Sequence, residues 1–344
     1  MADTQAVKLP DTSKLIVSSS PHFHKPRNAK TVMWTVVAAL LPACVVGVTV
    51  FGWRALWVLA VSTFACVLCE AVCCKLRGRP IPIADGSAVV TGILLGMNLS
   101  AATPWWVCLI GAVLAVGLAK QLYGGLGYNI FNPVLVARVG LLIALPGIMT
   151  TWTVPRFGWW AGRVPGAIEK GADAVTTATP LGMIETQTVM SQAGDYVQFA
   201  IGNMPGCIGE TSAIALLLGG IFLAWRGYIR WQVPVSFIGT VAVISGIANA
   251  AAPDVYAPVM FHMLTGGLFL GAIFMATDMV TSPMSKKGAI VFGIGCGVVT
   301  GVIRLWGNLP EGVSFSILFM NALVPLIDRY TANKPFGLRK ENAT

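Results

Sequence analysis

Ten apolar runs of 13 to 21 residues, parted by short polar stretches, dominate this 344-residue chain. They lie at 31–51, 55–74, 87–99, 105–119, 134–148, 213–225, 233–251, 260–276, 288–302 and 313–326. About 20 apolar residues span a bilayer as a helix, and shorter runs serve where a helix is broken or re-entrant. A water-soluble surface needs about a quarter of all residues charged; here 11% are charged and 56% hydrophobic. The same balance excludes a disordered chain, and the 38 glycines follow no collagen period. The reading is an all-α, multi-pass membrane protein with ten transmembrane helices. The polar first 30 residues, with no small-residue cleavage pattern behind them, argue against a cleavable signal peptide.

The basic residues fix an orientation. With the N-terminus in the cytoplasm, 17 fall inside: Lys8, Lys14, Lys25, Arg27, Lys30, Lys75, Arg77, Arg79, Lys120, Arg226, Arg230, Lys286, Lys287, Arg329, Lys334, Arg339 and Lys340. Five fall outside (Arg54, Arg156, Arg163, Lys170, Arg304), and Arg138 lies within a run. This is the positive-inside bias of membrane proteins. It accounts for the net charge of +9 without nucleic acid. The expected layout is a cytoplasmic tail over 1–30, five helices over 31–150, an extracytoplasmic loop over 151–210, five helices over 211–328, and a cytoplasmic tail over 329–344.

The two sets of five resemble each other. Thr91-Gly-Ile-Leu-Leu-Gly96 in the third run is similar to Thr265-Gly-Gly-Leu-Phe-Leu-Gly271 in the eighth, each followed by a threonine-bearing stretch and a proline, Pro104 and Pro283. The fifth run opens at Asn132-Pro133 and the tenth carries Asn321 before Pro325. An offset of five spans makes the halves an inverted pair, with short Gly-interrupted spans as the pointer to a site near the midplane. Gly92, Gly96, Gly267 and Gly271 form small-residue faces that suit either a flat ligand or plain helix packing.

Acid–base equipment is scarce. His22 and His24 lie in the polar tail, and His262 near the start of the eighth run reads as a packing residue. Cys66, Cys69, Cys73 and Cys74 form a stripe along one helix, which cannot wrap a cluster without a second subunit. No metal site is expected. Charges inside apolar runs are functional suspects, so Glu70 and Arg138 within runs, and Asp278 just after the eighth, are candidates for an ion path, with buried structural pairing or an interfacial position as the other readings.

The outer loop holds the most specific pattern, Asp173-Ala-Val-Thr-Thr-Ala-Thr-Pro-Leu181. It resembles the Asp-x-x-Ser/Thr-Gly-Ala-Thr sequence at which flavin transferases attach FMN through a phosphoester to the last threonine, here Thr179; Thr177 stands where that pattern has glycine. Ser20-Pro-His22, Gly124-Gly-Leu-Gly-Tyr-Asn-Ile-Phe-Asn-Pro133 and Met275-Ala-Thr-Asp-Met-Val-Thr-Ser-Pro283 resemble signatures of the same family. That family, RnfD/NqrB, comprises the D subunit of the Rnf electron-transport complex and the B subunit of the sodium-pumping NADH:quinone reductase; the chain is more similar to the Rnf members.

The resemblance implies a urea-transporter-like 5+5 inverted fold and a flavoprotein subunit of a bacterial inner-membrane complex. That complex couples ferredoxin and NAD oxidoreduction to movement of Na⁺ or H⁺. It further implies covalent FMN on Thr179 in a solvent-reachable turn, a non-covalent riboflavin, the other Rnf subunits and a flavin transferase as partners, and no independent turnover. A small-solute channel or carrier of the same architecture is the rival, and a purely structural scaffold a third reading.

Overall fold

The structure, a computed structural model, describes residues 28–80, 83–155, 176–177, 179–181, 194–253, 255–307 and 312–332. Both tails and most of the outer loop fall outside the described residues, including Ser20 to His24, Asp173 and Ala178. Each apolar run is helical over most of its length. The first half contributes α1 (Ala29–Phe51), α2 (Trp53–Leu76), α3 (Ser87–Met97), α4 (Trp105–Ala112) and α5 (Pro133–Ala144). A π-helical stretch, Val113–Gln121, continues α4. The outer region adds a single turn, α6 (Pro146–Met149), the two-residue strands β1 (Trp152–Thr153) and β2 (Thr176–Thr177), and α7 (Gly194–Ile201). The second half holds α8 (Ala213–Trp225), α9 (Gln232–Ala251), α10 (Val259–Leu264), α11 (Leu268–Leu270), α12 (Lys286–Trp306) and α13 (Val313–Thr331). A π turn, Gly271–Met275, follows α11 directly.

Five of these helices (α1, α2, α9, α12 and α13) are long and apolar enough to cross a membrane. At about 1.5 Å per residue, the 23 residues of α1 reach ~34 Å, against a hydrocarbon core of ~30 Å. Their outward faces carry Trp57, Phe64, Leu68, Ile294 and Val298, all exposed, which a water-facing helix would not tolerate in such density. Exposed tryptophans sit at helix ends, as Trp53, Trp105, Trp225 and Trp306 do, where amphipathic rings favour the bilayer interface. The protein is a multi-pass membrane protein.

In the packing, α1 lies against α8, α2 against α3 and α4, α9 against α12, and α5 and α12 against α13. Leu40, Leu95, Met97, Leu135, Phe237 and Phe292 are fully buried at these contacts. Two helices stop inside the bundle. The 11-residue α3 ends at Asn98, and α10 gives way at Gly266 and Gly267, whose φ of 73° and 63° a side chain rarely adopts. Freed carbonyls at such breaks need partners where water is absent, and arginines supply them. Arg138 Nη1 on α5 donates to the Asn98 carbonyl. Arg304 on α12 donates to the carbonyls of His262 (2.6 Å), Thr265 (3.1 Å) and Gly266 (2.7 Å).

Candidate functional site

A cleft of ≈ 110 Å³ opens among α1, α3, α5, α8 and the segment after α11. Its walls are mainly apolar (Val36, Leu94, Ile273 and Phe274 among them), and a few polar side chains converge on it: Thr91, Lys120, Asn129, Asn132, Thr277 and Asp278. Apolar walls with a few placed polar groups are the usual make-up of a small-molecule site between helices.

Two sequence patterns some 150 positions apart meet here. The glycine-rich loop before α5 uses positive φ at Gly124, Gly125 and Gly127 to turn back under the bundle, carrying Asn129 and Asn132 to the cleft. Asn132 caps α5 by accepting from the Val134 N–H (3.0 Å), with Pro133 in the first turn. Its Nδ2 donates to the Met275 carbonyl (3.1 Å), joining the two halves. The second pattern supplies Thr277, Asp278, Met279 and Val280. Asp278 lies two residues beyond the eighth apolar run, and Thr281 Oγ1 donates to its Oδ2 (3.2 Å). Burial raises its carboxyl above the usual carboxylate range, and hydrogen bonds from Val280, Thr281, Asn129 and Met279 offset only part of that rise.

The back of the cleft is ionic. Lys120 Nζ donates to Glu70 Oε1 at 2.6 Å and to Ser87 Oγ at 2.7 Å, and Gln121 Nε2 donates to the same Glu70 oxygen at 3.0 Å. Lys120 is 2% exposed and Glu70 1%. Counting Lys120 as a cytoplasmic loop charge is therefore corrected: the π-helical stretch carries it inside. Arg304, counted outside, is likewise engaged with backbone. Moving both leaves 16 basic residues against four, so the asymmetry stands. The signal for Lys120 was available, since Glu70 in an apolar run needs a counter-charge.

The four glycines do not line the large cleft. A Cβ on Gly92 would lie 2.4 Å from Thr63 Cα, and one on Gly96 2.5 Å from Ser62 Oγ, so both are pressed against α2. Gly271 meets Val313 of α13 at 2.3 Å, and Gly267 faces the Glu210 carboxylate at 3.0 Å. Helix packing, the other reading of the small-residue pattern, describes Gly92 and Gly96, whereas Gly267 and Gly271 border a smaller hollow. The cleft instead takes Thr91 and Leu94 from α3, and Ile273 and Phe274 from the π turn. On a helix those positions lie round the side from the glycines.

Glu210 escaped the sequence reading. Residues 202–210, expected at the inner end of the outer loop, are buried. The Ile208 N–H donates to the Leu99 carbonyl (3.0 Å), and Glu210 Oε2 accepts from the Cys207 N–H (3.3 Å). Asn98, Arg138, Cys207, Glu210, Gly266 and Gly267 border a second, smaller hollow of ≈ 20 Å³. Arg138 thus lies apart from the large cleft, where the Asn98 carbonyl is one of its partners, whereas Asp278 and the partner of Glu70 share the cleft.

Thr179 is 6% exposed, not the solvent-reachable side chain the loop position suggested. Two residues on, Leu181 enters an apolar cluster with Phe199, Met204, Ala257 and Phe261, and this draws the turn inward. A Cβ on Gly266 would meet both Leu181 Cδ2 (2.9 Å) and Arg304 Nη2 (2.6 Å), so the turn seats beside the break in the eighth span. Thr176 and Thr177 pair in antiparallel fashion with Thr153 and Trp152. Ser100 Oγ and Thr153 Oγ1 hydrogen bond at 3.2 Å, tying this patch to the chain after α3. Cys66 and Cys74 are buried and Cys69 and Cys73 half-buried along α2; among the described residues no three His, Cys, Asp or Glu side chains gather as metal ligands.

Comparison with known proteins gives a family. Residues 16–337 match the model of the NQR2, RnfD, RnfE family. The chain is 44% identical over 331 residues to the D subunit of the proton-translocating ferredoxin:NAD(+) oxidoreductase complex of Clostridium ljungdahlii, covering 94% of this chain and 96% of that one. It is 42% identical over 327 residues to the D subunit of the Na(+)-translocating ferredoxin:NAD(+) oxidoreductase complex of Acetobacterium woodii, covering 95% and 96%. A third relative, the D subunit of the ion-translocating oxidoreductase complex of Stutzerimonas stutzeri, is 42% identical over 323 residues, covering 89% and 91%.

Proposed function

The chain belongs to the NQR2, RnfD, RnfE family, and from that premise we propose that it is the D-type membrane flavoprotein subunit of an ion-translocating ferredoxin:NAD oxidoreductase. It carries electrons between neighbouring subunits and has no turnover of its own. The observation that supports this reading most is the cleft, where the two patterns of the family resemblance meet in apolar walls with convergent amide and hydroxyl groups. The lining chemistry suits a flavin ring: in this reading the cleft would hold a non-covalent riboflavin, and the Thr179 hydroxyl would carry FMN through a phosphoester. Flavin supplies one- and two-electron transfer; the protein orients the ring, excludes water and sets the local charge. Because Thr179 packs inward, transferase action on it precedes the seating of the turn or catches the turn open.

The ten helices form two inverted sets of five. Contacts between equivalent members support this, since α1 packs on α8 and α5 on α13, as helices flanking a two-fold axis would. Both termini are cytoplasmic, in line with the basic asymmetry, and the membrane is a bacterial inner membrane. Transport of Na⁺ or H⁺ accompanies electron flow. Relatives of near-equal similarity are named for different ions, so the choice of ion rests on local detail. Glu70 and Asp278 are the acidic candidates for its path, while Arg138 serves the broken third span.

The test is a denaturing gel viewed under ultraviolet light, with protein from cells that express the flavin transferase. A fluorescent band near 36.3 kDa that is lost in Thr179→Val supports the reading; a dark wild-type band overturns the covalent flavin.

A further inference from the structure

We propose that Lys120 is a positioning residue for the ring in the cleft. It donates a hydrogen bond to a carbonyl-bearing edge of a flat heteroaromatic ligand and, balanced by Glu70, sets the charge that ligand meets on reduction. This rests on the reading of the cleft as the seat of the non-covalent flavin.

An ammonium has three N–H donors. Two are taken, by Glu70 Oε1 and Ser87 Oγ, and among the described residues the third has no protein acceptor. Lys120 also lines the cleft, where it is the one cation among the lining residues. Glu70 does not line it, but stands behind Lys120, held by Gln121 as well, with its Oε2 buried and without a partner among the described residues. A buried ion pair is weak evidence for stability, and π-helical distortions such as the one at 113–121 concentrate at functional sites. A neutral pair that shows only its donor to a cavity suits a neutral ligand with oxygen acceptors that gains negative charge when reduced. The pyrimidine edge of an isoalloxazine, with its C2 and C4 carbonyls, has that chemistry. No bond forms or breaks at Lys120; it holds the ring and biases its potential.

The arrangement makes a prediction of sign. Removing Lys120 leaves Glu70 facing the ring as an uncompensated negative charge; removing the charge of Glu70 leaves Lys120 as an uncompensated positive one. The experiment uses the whole complex in a Thr179→Val background, so that the extractable flavin is read alone. The midpoint potential of the bound flavin is measured in the intact complex, and riboflavin released by denaturation is quantified apart from FMN by chromatography, for Lys120→Met, Glu70→Gln and the double variant. The midpoint should fall in Lys120→Met, rise in Glu70→Gln and return near the parent value in the double variant, with flavin held roughly tenfold more weakly whenever Lys120 is absent. If Lys120→Met does not assemble, the double variant measured against Glu70→Gln makes the same comparison, and the added substitution must lower the midpoint. Shifts of the same sign in both single variants, or none, overturn the role of Lys120. No extractable flavin in the parent complex overturns the underlying reading of the cleft instead.

Discussion

Lys120 Nζ and Glu70 Oε1 lie 2.6 Å apart, buried, joining the π-helical end of the fourth span to the second. Fifty positions separate the two residues, and one of them, Lys120, stands just before a glycine-rich turn that reads as surface. Burial changes what each charge is worth, because an ion in a site without water must keep its partner or bear its desolvation.

Removing one member should therefore be worse than removing both. Lys120→Met alone is expected to destabilise the detergent-solubilised protein by about 3–5 kcal/mol, and adding Glu70→Gln should recover most of that. Thermal unfolding of the four forms checks it; additive losses would mean that the charges do not act as a pair.

Gly92 has no room for a methyl group, since a Cβ would sit 2.4 Å from the Thr63 backbone. Gly92→Ala should push α3 off α2 at a cost of about 1–3 kcal/mol. Flavin per folded molecule should stay constant, because the residue faces a helix and not the cleft. Lower stability with unchanged flavin stoichiometry is the expected pair of results, and flavin loss at unchanged stability would restore the glycines as a ligand face.

At the outer turn, Thr179→Val should abolish covalent flavin, whereas Thr176→Val and Thr177→Val should keep it. Thr176 and Thr177 belong to the paired strand β2, and Thr179 occupies the acceptor position of the pattern. Peptide mass analysis of the three variants distinguishes them, and an adduct that persists in Thr179→Val would move the attachment site.

Arg304 closes the break in the eighth span through three carbonyls. Arg304→Gln cannot reach all three, and hydrogen bonds to a charged donor are worth about 1.5–3 kcal/mol each. We expect a lower unfolding temperature and faster proteolysis near Gly266 and Gly267. Covalent flavinylation should fall too, because Leu181 seats the turn against the same spot. Unchanged proteolysis would show that the break is held by other contacts.

The sequence alone determined the helices of the ten apolar runs. Apolar runs located the helices to within a few residues, because a segment facing lipid or a dry core must be apolar throughout and must satisfy its own backbone. The run at 87–99 became α3 and the run at 260–276 became α10 and α11, with the break at the two adjacent glycines. What the tertiary structure decided was direction. Gly92 and Thr91 are neighbours in sequence, yet one meets α2 and the other the cleft. Glu210 closes a polar loop in sequence and sits buried between two broken spans. Lys120 counted as a loop cation until its partner was visible. Hydropathy records whether a segment leaves water, a property of the segment itself; which side of a helix meets which neighbour depends on rotation and register, which packing of the whole bundle sets.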